Sequence, residues 1–131
     1  MKIYFASAVT GNFGNKDSFA FMDFLEQFGE VVDRTAGWDG DDLHMSPEEI
    51  YQRDFAWLQS ADVLIAEVST KSLGVGYEIG RAIMMDKKIL CLYRPSACPQ
   101  LSPMIEGCDE IVIKKYEELP EAFAHIRAFL S

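Results

Sequence analysis

The chain has 131 residues, 49% of them hydrophobic and 25% charged, enough for one domain with a real core and incompatible with wholesale disorder. Its 12 basic and 21 acidic residues leave a net charge of −9. The basic residues cluster no further than pairs such as Lys87-Lys88 and Lys114-Lys115, so nucleic acid and anionic membranes are not expected partners. No apolar stretch reaches the length of a membrane span or an export signal. The three cysteines, Cys91, Cys98 and Cys108, form no CxxC pair and fit a reducing, cytoplasmic setting.

Apolar runs alternate with helical patterns, which predicts an α/β fold with a mostly parallel sheet. Lys2–Ala6 reads as the first strand, followed by a Gly/Asn-rich loop over 7–15. Asp17–Phe28 reads as a helix with Phe21, Phe24, Leu25 and Phe28 on one stripe, ended by Gly29 as a C′ glycine. Glu30–Asp33 reads as a short second strand, and the polar, Gly- and Asp-rich stretch 34–45 as a long functional loop. Ser46-Pro47-Glu48-Glu49 places Ser at the N-cap, Pro at N1 and Glu at N3 of a helix that extends to Ser60. Asp62–Glu67 reads as a third strand, 69–76 as a loop and Tyr77–Met85 as a helix. Ile89–Tyr93 is the fourth strand, 94–103 is irregular, Ile111–Ile113 is the fifth strand and Pro120–Leu130 the closing helix.

These five strands are expected in the flavodoxin-like order 2-1-3-4-5, a three-layer sandwich in one domain over 1–131. In that order the chain reverses direction between strands 1 and 3, and open α/β sheets bind ligands there, at the carboxyl ends of the strands. The loops 7–15 and 69–76 flank the crevice, and both are rich in glycine and small hydroxyl residues.

Within the second of these loops, Gly74 and Gly76 let the backbone approach a ligand closely. Glu78 is then expected in the first helical turn, where the helix N-terminus favours its ionised form. An ionised carboxylate beside a sugar-sized cleft can attack an anomeric carbon; as a purely structural residue, Glu78 would only complement the helix dipole. Asp54 shares a helix face with Ile50, Trp57 and Ala61. An aspartate in an apolar stripe needs partners: either an ion pair with Arg53, Arg81 or another cation, or a place in the crevice as a second carboxylate. Tyr4 is either a core residue or a phenol hydrogen-bonded to the reacting carboxylate. Ser7, Thr10, Asn12, Ser72 and Ser102 can donate to an anion. His44 and His125 read as solvent-exposed. The cysteines and histidines lack metal-ligand spacing, and no P-loop, GxSxG or zinc motif is present.

Asp54 through Val63, Ala66-Glu67-Val68, Ser72 through Arg81, Ile89 through Pro95 and Leu101 through Ile105 closely resemble the 2′-deoxynucleoside 5′-phosphate N-hydrolases of the nucleoside 2-deoxyribosyltransferase superfamily. The resemblance covers strand 1 and roughly 54–107. It implies hydrolysis of the N-glycosidic bond of 2′-deoxynucleoside 5′-monophosphates to free base and 2-deoxyribose 5-phosphate, through a covalent glycosyl-enzyme. Base exchange by a deoxyribosyltransferase, hydrolysis of unphosphorylated deoxynucleosides and a non-catalytic nucleotide-binding module are the alternatives. By the same resemblance, Glu78 is the nucleophile, Asp54 assists at the sugar and leaving group, and Tyr4 orients the nucleophile. Ser72 and Gly74 match the family's phosphate-loop positions, and Ser7, Thr10 and Gly11 of the first loop are expected beside them as substrate-binding residues. Ser102 and Met104 reach the neighbouring subunit's site, which implies a homodimer. Ser102 also favours the hydrolase, since transferases of the superfamily tend to carry an amide near that place. No cofactor or metal is implied. One departure stands out: the family's first loop reads G-S-I-R-G-G where this chain has Ser7-Ala8-Val9-Thr10-Gly11-Asn12. Thr10 in place of Arg removes a bidentate, charge-assisted phosphate contact, so phosphate binding is expected to be weaker than is usual for the family.

Overall fold

The computed structural model describes residues 1–8, 15–36 and 41–131. Strands β1 (Lys2–Ser7), β2 (Glu30–Val31), β3 (Val63–Glu67), β4 (Lys88–Tyr93) and β5 (Val112–Lys115) form one parallel sheet in the order β2-β1-β3-β4-β5, the order the sequence predicts. The helices are α1 (Asn15–Leu25), α2 (Pro47–Ser60), α3 (Leu73–Met84), the single turn α4 (Pro103–Glu106) and α5 (Leu119–Leu130).

The central strands bury both faces, as a parallel sheet between helical layers must. Along β1, Ile3 and Phe5 join a cluster with Phe21, Leu25 and Ile126 of α1 and α5. Tyr4 and Ala6 join the opposite cluster, with Leu58, Val75 and Ile79 of α2 and α3. β3 and β4 split the same way, Ile65 and Leu90 to one side, Leu64 and Ile89 to the other. The two-residue period of the strand thereby turns Tyr4 toward α3.

Local chemistry explains the helix boundaries. Ser46 and Glu49 form the expected capping box on α2: the Glu49 amide donates to Ser46 Oγ at 3.1 Å and the Ser46 amide to Glu49 Oε1 at 2.9 Å. α3 begins at Leu73 rather than Tyr77, so Gly74 and Gly76 lie inside the helix and not in a loop. Ser72 caps it, its Oγ accepting from the Val75 amide at 3.2 Å. The buried stripe Val75, Ile79, Ala82 outweighs the roughly 1 kcal/mol by which each glycine disfavours a helix. α1 ends at Leu25, short of Phe28, and Gly29 is not left-handed. Its need is space: a Cβ there would lie 2.1 Å from the Met1 carbonyl oxygen, which accepts from the Glu30 amide at 2.9 Å. β2 stops at Val31 because the next donor on β1, the Phe5 amide, bonds the Asp33 carboxylate at 2.9 Å instead of a strand carbonyl. The stretches read as loop and irregular contain a 3₁₀ turn at Asp41–His44 and the Ser102-capped α4. Among the described residues no helix is long and apolar enough to cross a membrane.

β3 ends on a buried Glu67, 2% exposed. The Ser69 amide and hydroxyl donate to it at 2.6 and 3.0 Å, as does the Tyr116 hydroxyl. This anchors the start of the crossover that leads to Ser72.

Candidate active site

A cavity of about 200 Å³ opens at the carboxyl ends of β1 and its neighbours, where the strand order reverses. β1 lines it with Tyr4 to Ser7. The chain after β2 adds Asp33, Ala36 and Asp42, α2 adds Asp54, and the start of α3 adds Ser72, Gly74, Val75 and Glu78.

Glu78 sits in the second turn of α3, one turn beyond Gly74 on the same face. Gly74 and Glu78 line the cavity together. A Cβ at position 74 would meet only Ser72 Oγ within 4 Å, at 3.9 Å. The Tyr4 hydroxyl donates to Glu78 Oε2. Burial pushes the Glu78 carboxyl up to about 7; Tyr4 opposes the rise and Asp54 adds to it. This corrects the expectation of a carboxylate kept ionised by the helix N-terminus, because that influence fades beyond the first turn and burial prevails here. Tyr4 is 3% exposed. Burial, then the neighbouring Glu78 and Asp33 charges, hold its phenol firmly protonated. Both sequence readings of Tyr4 therefore apply: it packs in the core with its ring and reaches Glu78 with its hydroxyl.

Both readings of Asp54 hold as well. Arg53 Nε donates to Asp54 Oδ1 at 2.9 Å, while its Nη1 and Nη2 grip Asp42 at 2.7 and 3.2 Å. Arg53 also lies over the Trp57 ring, 4.8 Å from its centre. Asp54 still lines the cavity with Glu78, and burial raises its pKa against the lowering pull of Arg53. Arg81, the other cation considered, bonds the Tyr77 hydroxyl at 2.8 Å instead.

The described residues bring Tyr4, Ser7, Asp54, Ser72, Gly74 and Glu78 to one cavity; Ser7 Oγ lies 3.4 Å from Ser18 Oγ. Thr10 and Gly11, and Asn12 with them, lie outside the described residues. Among those described, no lysine or arginine lines the cavity. Ser102 and Met104 stand apart. They line a larger apolar groove of about 620 Å³ that shares only Ser72 and Val75 with the cavity. Ser102 Oγ accepts from the Met104 amide at 3.3 Å, and Met104 is 82% exposed. Asp33 and Asp42 are cavity residues that sequence reasoning missed. The signal for Asp33 was its place, at the carboxyl end of a strand beside the crevice. His125, read as exposed, is half-buried and within 3.0 Å of the Lys115 carbonyl, whereas His44 is exposed. Among the described residues no cluster of three His, Cys, Asp or Glu is placed to hold a metal ion.

This arrangement, a buried phenol and two half-buried carboxyls around a small cavity, suits displacement at a sugar carbon. A family model described as nucleoside 2-deoxyribosyltransferase matches residues 3–113. The chain is 42% identical over 113 residues to a 2′-deoxynucleoside 5′-phosphate N-hydrolase of Trichoplax adhaerens, covering 80% of this chain and 74% of that one. It is 39% identical over 125 residues to the 5-hydroxymethyl-dUMP N-hydrolase of Tetraodon nigroviridis, covering 88% of each. Among solved structures, a CMP N-glycosidase of Clostridium botulinum shares the fold, with a TM-score of 0.74 over 98% of this chain and 99% of that one at 22% identity. With its family match spanning residues 3–113 and a relative 42% identical over 80% of the chain, this protein belongs to the nucleoside 2-deoxyribosyltransferase family.

Proposed function

We propose that the protein hydrolyses the N-glycosidic bond of a 2′-deoxynucleoside 5′-monophosphate, releasing the base and 2-deoxyribose 5-phosphate. The observation that carries this is the Tyr4–Glu78 hydrogen bond facing Asp54 in one cavity. Ionised Glu78 attacks C1′ and forms an ester as the C1′–N bond breaks. Asp54, raised by burial, delivers a proton to the leaving base. Asp54 then takes a proton from the water that attacks C1′, which frees Glu78. A 2-deoxy sugar suits this path, because an electron-withdrawing 2-hydroxyl would destabilise the oxocarbenium-like transition state. Amides at the Ser72-capped end of α3 receive the phosphate. The names of the relatives from Trichoplax and Tetraodon support a nucleoside monophosphate substrate.

One domain over 1–131 carries the activity, and it acts as a homodimer. Ser102 and Met104 lie outside their own chain's cavity, and Leu73 and Met104 leave apolar surface exposed at 96% and 82%. A second copy covering that groove brings Ser102–Met104 to the neighbour's cavity. Three free cysteines suit a cytoplasmic protein. The test is incubation with the four deoxynucleoside monophosphates and the plain deoxynucleosides, followed by chromatography. Free base from a monophosphate is the expected result; no base from any of them overturns the reading.

A further inference from the structure

Asp33 is a cavity carboxyl with no part in the reaction above. It is 5% exposed, and the Phe5 amide donates to its Oδ1 at 2.9 Å. Among the described residues no Lys, Arg or His pairs with it. Asp42, its neighbour in the cavity wall, is by contrast gripped by Arg53. Burial, with Glu78 and Asp54 nearby, lifts Asp33 well above the usual carboxylate range, against the lowering pull of the backbone amides. The acid form carries an O–H, which makes no hydrogen bond to the described residues.

The strand order says what this donor meets. Asp33 follows β2 and Ser72 precedes α3, so they come from opposite sides of β1. A phosphate is drawn to the amides at the Ser72 end, whereas among the described residues the β2 end brings no lysine or arginine to the cavity. With C1′ held at Glu78 between them, the base is left to the β2 end. This orientation rests on the proposed hydrolase reading. We propose that Asp33 is a specificity-determining residue that donates a hydrogen bond to an oxo group of the base, so that 6-oxopurine and 4-oxopyrimidine nucleotides are turned over ahead of their 6-amino and 4-amino counterparts. An oxo group accepts the bond, whereas an exocyclic amine sets N–H against O–H and leaves a buried donor unpaired.

Two substrate pairs isolate the contact: deoxyinosine against deoxyadenosine monophosphate, and deoxyuridine against deoxycytidine monophosphate. The ratio of kcat/KM within each pair is the readout, since it does not move with the folded fraction. Ratios above about tenfold are expected for the wild type. Asp33→Asn keeps an acceptor for Phe5 and an N–H donor for the base, so it retains them. Asp33→Leu removes the donor and brings both ratios toward one. If Asp33→Leu does not fold, Asp33→Ala, with room for a water at the Phe5 amide, gives the same readout. Wild-type ratios at or below one, or ratios that survive loss of the carboxyl, overturn the assignment. Equal losses on all four substrates also overturn it, marking Asp33 as a structural cap of the β1–β2 ladder. Absence of base release from any nucleotide by the wild type instead overturns the hydrolase reading, and this inference with it.

Discussion

The Tyr4 hydroxyl donates to Oε2 of Glu78 across 74 positions of sequence. It is the contact that draws the Glu78 pKa down while burial and Asp54 push it up. Tyr4→Phe deletes that donor and leaves the ring in the core. The Glu78 pKa then rises, and the acid limb of kcat/KM moves to higher pH. Turnover at pH 7 falls about tenfold or more, one buried hydrogen bond to a charged group being worth about 1.5–3 kcal/mol. A pH profile unchanged in Tyr4→Phe would remove the phenol from the mechanism.

Glu78 links activity and stability with opposite signs. Its folded-state pKa of about 7 lies above the ordinary carboxyl value, so the folded chain holds a proton that the unfolded chain gives up. The stability this contributes is full below pH about 4.5 and is lost as pH rises through 7, on the order of 3 kcal/mol in all. In the proposed mechanism attack on C1′ needs the ionised form, so turnover is expected to rise over the range in which stability falls. Glu78→Gln stays neutral throughout. Urea unfolding at pH 5 and pH 8 is therefore expected to show Glu78→Gln gaining on the wild type at the higher pH. Base release by Glu78→Ala or Glu78→Gln falls about a thousandfold or more. Residual turnover within tenfold of the wild type would assign the nucleophile elsewhere.

Asp54→Asn separates the two roles of that side chain. Arg53 keeps its grip on Asp42 at 2.7 and 3.2 Å, so the ion-pair network survives in part and the melting temperature moves by only a few degrees. The proton held for the leaving base is lost, and turnover drops about a hundredfold or more. Thermal melts and kinetics on one preparation decide it: a large loss of melting temperature with near-normal turnover would make Asp54 a structural residue.

Two-sided apolar runs such as Val63-Leu64-Ile65 and Ile89-Leu90-Cys91 made a buried parallel sheet legible, and the alternation of five strands with helices suggested the flavodoxin-like order. The α3 boundary was not legible. Gly74 and Gly76 carry loop propensity, and only the packing of Val75 and Ile79 against the sheet turns them helical. The same packing decides the Glu78 pKa, since a helix-start position promises an anion while the depth of the side chain raises the proton affinity. Asp33 escaped notice because its strand-end place was its one local mark: the hydrogen bond that holds it runs to Phe5, 28 residues away, across the sheet. Asp54 was legible as a polar residue on an apolar face, but its simultaneous contact with Arg53 and the cavity follows from tertiary geometry alone.

The departures at Ala8 and Thr10 make a separate prediction. With no lysine or arginine lining the cavity among the described residues, phosphate binding rests on amides and hydroxyls. The monophosphate is expected to remain preferred over the nucleoside in kcat/KM. Thr10→Arg is expected to raise that preference about tenfold or more, by one charge-assisted contact. A wild-type ratio below one would refute the monophosphate assignment, and no rise in Thr10→Arg would show that position 10 does not face the phosphate.

Assembly is tested through Met104. It is 82% exposed and lines the apolar groove with Leu73, which is 96% exposed. Side chains of this kind make a poor surface for a lone chain and a good one for self-association. Met104 does not line its own chain's cavity, so a substitution there is expected to act on the active site chiefly through a second copy. Met104→Lys is expected to give a monomer by light scattering, with a melting temperature near that of the wild type at low protein concentration. Its kcat/KM is expected to fall at least tenfold, with the loss in KM larger than that in kcat, because in the proposed dimer Ser102–Met104 would bind the phosphate end of the neighbour's substrate and take no part in the chemistry at Glu78. Mixing inactive Glu78→Ala with Met104→Lys tests the same geometry from the other direction. In a mixed dimer one cavity has its own Glu78 and an intact neighbouring segment, so activity above the sum of the parts is expected. A monomeric Met104→Lys with full turnover, or mixtures that recover nothing although mixed dimers form, would take Ser102–Met104 out of the site and leave the groove with another use.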